Sequence, residues 1–149
     1  MIDRFIKGNY FLSNFSNSFV TDELGIQYPT IEHAYQASKT LDKEKRLQLK
    51  KSSRTPGISK KLGNEIKLRS DWEEVKFGVM EYFLRQKFKP ETFLAKRLIS
   101  THPHELVEGN YHDDKIWGFC LKTKRGENNL GKILMKIRND LIGAPSENN

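Results

Sequence analysis

Apolar positions along this chain recur mainly at helical spacing. Leu130, Ile133, Leu134, Ile137 and Leu141 form one apolar face and predict a helix over 129–142. Val75, Val79 and Phe83 recur every fourth residue and predict a long helix over 72–88 with these three side chains facing the core. Asp71 is placed to cap it, with Glu73 and Glu74 in the first turn, where negative charge suits the helix dipole. Pro90 suits the first position of the next helix, since its missing N–H has no partner there anyway; Leu94 and Leu98 give that helix an inner stripe. Thr30 is placed to cap a helix running to about Leu41. A short basic helix is expected over 43–50, a break at Thr55-Pro56-Gly57 and a further helix over 58–66. The first thirty residues read as extended: 2–6 and 26–28 are strand candidates, and 22–25 is a turn. Residues 11–15 read as a loop anchored by aromatics, Leu106 and Val107 as a short strand, and 109–126 as loop-rich. The expected fold class is mainly α (α+β), a single compact helical domain with a few short strands over 1–143, followed by a flexible tail over 144–149.

Composition narrows this picture. The chain has 149 residues, which suits one core; at 36% hydrophobic and 30% charged it is polar, but 11% aromatic residues can nucleate that core and argue against disorder throughout. No apolar run approaches the roughly 18 residues that span a bilayer, so no membrane partner is expected. Met1-Ile2-Asp3-Arg4-Phe5 lacks the basic-then-apolar pattern of a signal peptide. A single cysteine, Cys120, excludes an intrachain disulfide. A cytoplasmic location fits these features. The net charge of +7, from 26 basic and 19 acidic residues, attracts polyanions or phosphorylated ligands, although lysine-rich helices that only keep a protein in solution give the same number.

Three segments carry candidate chemistry. On the helix after Thr30, Glu32, Gln36 and Lys39 fall on one stripe, opposite Ala34, Ala37 and Leu41. That stripe is either a solvated polar face or the wall of a cleft; in a cleft the carboxylate could move protons and a desolvated lysine could act as a nucleophile. His33 fits a core edge or a cleft equally. The second segment is Asp113-Asp114-Lys115-Ile116-Trp117-Gly118, where Trp117 could stack on a base or plug the core from a loop, and Asp114 could hold ribose hydroxyls or face positive charge at C1′. The third is Gly126-Glu127-Asn128-Asn129-Leu130-Gly131, whose glycines and helix start suit an anion, or whose Asn128 is an ordinary N-cap. His102, His104 and His112 have no zinc spacing, so no metal or other cofactor is expected. Cys120 reads as a small buried hydrophobe.

The segments Phe11-Leu12-Ser13-Asn14-Phe15, Tyr28 through Lys39, Trp72 through Met80, Lys87-Phe88, Leu106-Val107-Glu108, Asp114 through Gly118, and Asn129 through Met135 with Arg138 follow one another in the order of the YbiA-like (NADAR) family, which this chain resembles over nearly its whole length. The resemblance implies a mainly helical fold and an enzyme, a hydrolase of N-glycosyl compounds. It implies catalytic roles for Glu32, Lys39 and Asp114. Substrate binding would fall to Asn14, His33, Gln36, Trp72, Trp117, Gly118, Asn129 and Gly131. Phe119-Cys120 departs from the family at a place where a second glycine is common, which alters the pocket rim.

The family's substrates include ADP-ribose attached to guanine in nucleic acid and ribosylamino-pyrimidine intermediates of riboflavin synthesis. The charge favours the first as partner, the second being a small riboside phosphate. Base departure builds positive charge at C1′ and O4′, which Glu32 or Asp114 would face, while Glu32 could protonate the base and Lys39 could attack the ring-opened aldehyde. Two rivals are a module that binds ADP-ribose or a nucleotide without cutting it, and a basic nucleic-acid-binding protein.

Overall fold

A computed structural model describes residues 1–144, so most of the expected tail, residues 145–149, lies outside the described residues. The chain forms two contact-dense units, Asn14–Lys87 and Met1–Ser13 with Phe88 onward. Helix predominates in both.

In the unit Asn14–Lys87, β1 (Val20–Thr21) and β2 (Gln27–Tyr28) pair antiparallel, Val20 opposite Tyr28. Asp22 makes the turn between them: its Oδ1 accepts the Leu24 and Ile26 N–H groups, both at 2.9 Å, and Gly25 sits at φ 83°. Helix α1 (Ile31–Ala37) begins where Thr30 Oγ1 accepts the His33 N–H. It ends sooner than expected. Ser38 Oγ donates to the Ala34 carbonyl at 2.7 Å, and Asp42 immediately caps the next helix, α2 (Lys43–Ser52). Lys39 therefore lies in the turn after α1, not on its third turn.

Helix α3 (Pro56–Gly63) starts at Pro56 with Thr55 as its cap, so Thr55-Pro56-Gly57 opens a helix where a break was expected. Helix α4 (Trp72–Lys87) matches its expected span, but the Asp71 carboxylate is held by Arg69 through two hydrogen bonds of 2.6 and 3.0 Å. Trp72, Met80, Phe83 and Leu84 supply its core face. Val75 and Val79, expected there, are half-buried and line a hollow of about 530 Å³ with Tyr82 and Phe83.

Arg46 belongs to α2, the short basic helix expected over 43–50. It is fully buried: its guanidinium meets Asp22 at 3.0 Å and Glu23 at 2.7 Å and donates from Nε to the Thr40 carbonyl. Burial pushes the Asp22 carboxyl up, but hydrogen bonds from Ile26, Tyr28, Leu24 and Arg46 outweigh that and hold it below its usual value. Lys87, at the end of α4, is buried too and donates to Ser16 Oγ at 2.7 Å; burial pushes its ammonium down to about 7.

In the other unit, a 3₁₀ turn over Lys7–Leu12 takes the place of the expected aromatic loop, with Phe11 packed edge-on against Phe88 and under the Arg97 guanidinium at 4.0 Å. Helix α5 (Phe93–Ser100) is capped by Thr92. Glu91 sits at φ 71°, which helical backbone does not allow, so the helix cannot begin at Pro90. The expected strand over 2–6 reduces to one bridge, Ile2 to Leu106. The short strands in the loop-rich region are β3 (Gly109–Asn110) and β4 (Phe119–Cys120), which pair parallel, with Cys120 buried as expected. Helix α6 (Asn129–Gly143) buries Leu130, Leu134 and Ile137 and packs on α5; Arg138 joins them by donating to Thr101 Oγ1 and the His104 carbonyl. No helix among the described residues is long and apolar enough to cross a membrane.

Candidate functional site

The polar stripe read from the sequence is not a solvated face. All seven residues of α1 are buried, Glu32 to 7% exposure and Gln36 to 4%. Gln36 Nε2 donates to Glu32 Oε1 at 2.8 Å, and the Glu32 N–H donates to the Asn14 carbonyl. Lys39 points its ammonium at the carbonyl of Gly63, the last residue of α3, at 3.4 Å. Burial lowers its pKa; the Glu32 charge opposes that shift and the Lys60 charge adds to it. The amine thus stands within the electrostatic reach of both groups, and its neutral form is more accessible than that of an exposed lysine.

Gly63 was absent from the sequence reading, and this geometry explains its identity. A Cβ built there would stand 1.9 Å from Gln36 Oε1. Only a glycine lets α3 approach the amide that holds Glu32, while its carbonyl receives Lys39. A glycine ending a helix is usually a matter of termination, so sequence alone offers no sign of this second role. Asn14, on the loop before β1, has its Nδ2 on Met80 Sδ and its buried Oδ1 without a hydrogen-bond partner among the described residues. Such an oxygen is a place where a ligand hydroxyl would be welcome.

His33 and Trp72, the other candidates of this unit, are occupied by the protein itself. Burial lowers the imidazole pKa, so the ring is neutral. Its Nε2 faces the Ser53 carbonyl at 3.1 Å, which can only accept, so the proton sits there and Nδ1 accepts from Thr30 Oγ1 at 2.7 Å. His33 thus ties α1 to the end of α2. Trp72 is buried against the Tyr35 ring, 5.1 Å between centroids.

The remaining candidates belong to the other unit. Asp114 Oδ1 accepts the N–H groups of Ile116 and Trp117, which makes the loop turn, and the Asn110 amide clamps the Asp114 backbone by accepting its N–H and donating to its carbonyl. Trp117 is half-buried and Gly118 buried. The start of α6 is not an open anion cradle: the N–H groups of Asn128, Asn129 and Leu130 already bond the carbonyls of Gly118, Ile116 and Trp117. The backbone donors that a phosphate at Asn129 would use are spent on the Trp117 loop. Asn129 Nδ2 also serves that loop, through the Ile116 carbonyl.

Gly131 and Gly118 answer to packing. A Cβ at Gly131 would meet the Leu106 carbonyl at 2.1 Å, and one at Gly118 the Glu108 carbonyl at 2.4 Å. Asn128 is no side-chain cap; in left-handed backbone it accepts the Glu108 N–H and donates to the Leu106 carbonyl. Asn110 and Asn128 were missed as organisers of this loop. Their only sequence signal is that asparagine favours turns.

The protein is small and mainly helical, with a buried acid–amide pair, Glu32 and Gln36, and a partly buried amine, Lys39. The chain belongs to the NADAR domain family, whose model matches residues 4–142. It is 38% identical over 119 residues to a protein of Escherichia coli K12 named N-glycosidase YbiA, covering 78% of this chain and 72% of the relative. A protein of Vibrio vulnificus named as a riboflavin biosynthesis protein is 35% identical over 134 residues, 88% of this chain and 35% of that longer one. The solved NMR structure of E. coli YbiA superposes with a TM-score of 0.81 at 30% identity, covering 100% of this chain and 94% of the other.

Proposed function

We propose that the chain is an N-glycosidase that hydrolyses the bond between a ribose and a nitrogen base in a phosphate-bearing riboside, and that the substrate is ADP-ribose attached to guanine in nucleic acid. The observation that carries the hydrolase reading is the buried Glu32 carboxylate, oriented by Gln36 and within electrostatic reach of the desolvated Lys39 amine. Relatives named N-glycosidases support it. The net charge of +7 favours a nucleic-acid substrate over a lone small phosphate.

In this reaction the C1′–N bond breaks, the base leaves with a proton, and the oxygen of water bonds to C1′. Glu32 supplies the proton. Lys39 forms an imine with the ring-opened sugar aldehyde, losing water, and a second water releases the sugar. Asn14 and Gln36 orient the ribose and the acid.

Mass spectrometry of parallel incubations with ADP-ribosylated guanine DNA and with a ribosylamino-pyrimidine phosphate is the test. Released ADP-ribose is expected from the first. Hydrolysis of the pyrimidine alone would replace the substrate, in keeping with relatives named riboflavin biosynthesis proteins; turnover of neither would remove the hydrolase reading. Borohydride present during turnover should fix a sugar adduct on the peptide containing Lys39. An active Lys39→Arg enzyme with no trapped adduct in the parent would leave Lys39 as a binding residue.

A further inference from the structure

The positive charge of this protein has an address. Between Asp42 and Arg69 stand ten lysines and arginines and three carboxylates, a surplus of seven that accounts for the whole net charge; the rest of the chain is balanced, sixteen against sixteen. This stretch is α2, α3 and the segment that follows. On these helices Leu49, Ser59 and Gly63 are buried, and of the cations only Arg46 is fully withdrawn from the surface. Lys43, Lys45, Lys50, Lys51, Arg54 and Lys61 are exposed, and no salt bridge among the described residues neutralises them. Helix α3 packs on α1, and its end receives Lys39, so the basic surface runs up to the candidate acid–amine pair.

We infer that the face formed by α2 and α3 is a docking surface for the phosphate backbone of a nucleic-acid strand. It rests on the proposed function only in the direction it gives the strand, toward Glu32 and Lys39. When exposed cations that no salt bridge among the described residues neutralises meet phosphates, the nucleic acid releases its condensed counterions. One small phosphate would engage two or three such groups; a strand engages more of them. The binding is to backbone and is indifferent to base sequence.

Fluorescence anisotropy of a labelled, unmodified single-stranded oligonucleotide against salt is the test, on the full chain. Three proteins are compared: the parent, a variant with Lys50, Lys51, Arg54 and Lys61 changed to Gln, and a control with Lys89, Lys96, Lys122 and Lys132 changed to Gln. Circular dichroism and melting confirm that all three are folded. The parent should bind with a steep salt dependence. The first variant should lose tenfold or more in affinity and about three units of the log–log salt slope, the share of four phosphates on a single strand, while the control stays close to the parent. Its turnover of a small riboside phosphate should match the parent's. If no riboside is hydrolysed by any of the three, the proposed function falls and the binding result stands. No oligonucleotide binding by the parent, an equal loss in the control, loss of small-substrate turnover in the α2–α3 variant, or tighter binding to phosphatidylserine vesicles than to the oligonucleotide would each overturn the docking surface.

Discussion

Glu32 and His33 are neighbours in sequence with different tasks. One turns its carboxylate to Gln36; the other is held on both ring nitrogens by Thr30 and Ser53. About a hundred degrees of helix separates their side chains, enough to place them in different surroundings. Glu32→Gln keeps the volume and removes the proton, so the fold should persist and kcat should fall by about 10² to 10⁴, the range for losing a positioned acid. Unchanged turnover would hand the proton to another group. Arg46 gives a second expectation. Arg46→Leu strands the Asp22 carboxylate in the interior, and a buried pair broken on one side costs about 3–5 kcal/mol; urea unfolding measures it, and a loss below 1 kcal/mol would mean that Asp22 finds other company. The pairing of Glu32 with Gln36 was legible because helical spacing is written in sequence, whereas Lys39 lies in the turn after the helix. The burial of the pair was not, because a seven-residue helix enclosed on all sides looks like a surface helix until its neighbours are known.

Between elements, the junction of α1 and α3 is where the candidate machinery is set. Gly63→Ala pushes a methyl into Gln36 Oε1, so Gln36 must leave Glu32 or the helices must part. Overpacking of this kind costs about 1–3 kcal/mol, and a misplacement near 1 Å at a reacting group costs about 10²-fold in rate. Turnover should therefore drop in a protein that still melts cooperatively. A full-rate Gly63→Ala enzyme would make the close approach incidental. Helix existence was readable in the sequence, down to the α4 span and the cap at Thr30. Boundaries were decided by features that act locally but read ambiguously: the Ser38 hydroxyl ends α1, and left-handed Glu91 delays α5. The carbonyls that fill the start of α6 come from residues far enough back in the chain to be invisible to a local motif.

For the molecule as a whole, pH should act on stability through Lys87. Its ammonium is lowered from 10.5 to about 7. In the unfolded chain the amine keeps its proton up to roughly 10.5. Between the two values the unfolded state binds the extra proton, so stability climbs with pH; below about 7 both states hold it and the full cost is present. A shift of this size corresponds to something on the order of 5 kcal/mol. The urea midpoint should rise from pH 7 to pH 9.5 in the parent and stay level in Lys87→Met. A parent curve that is flat or falls across that window would show that Lys87 is solvated or otherwise compensated. The sequence disclosed the total charge of this molecule but not which of its cations lie inside, and Arg46 and Lys87 decide much of how it responds to its medium.

The enclosure of α1 also has a kinetic meaning. With no residue of the helix open to water, and its ends held by Thr30 and Ser38, no local fraying exposes its amides. The interior amides of Tyr35, Gln36 and Ala37 should exchange with deuterium only when the surrounding unit opens as a whole. Exchange of these three should then be among the slowest in the chain and should accelerate in step with global destabilisation by urea. The acid and its amide would stand on the part of the protein that moves least, and a ligand must come to them rather than draw them out.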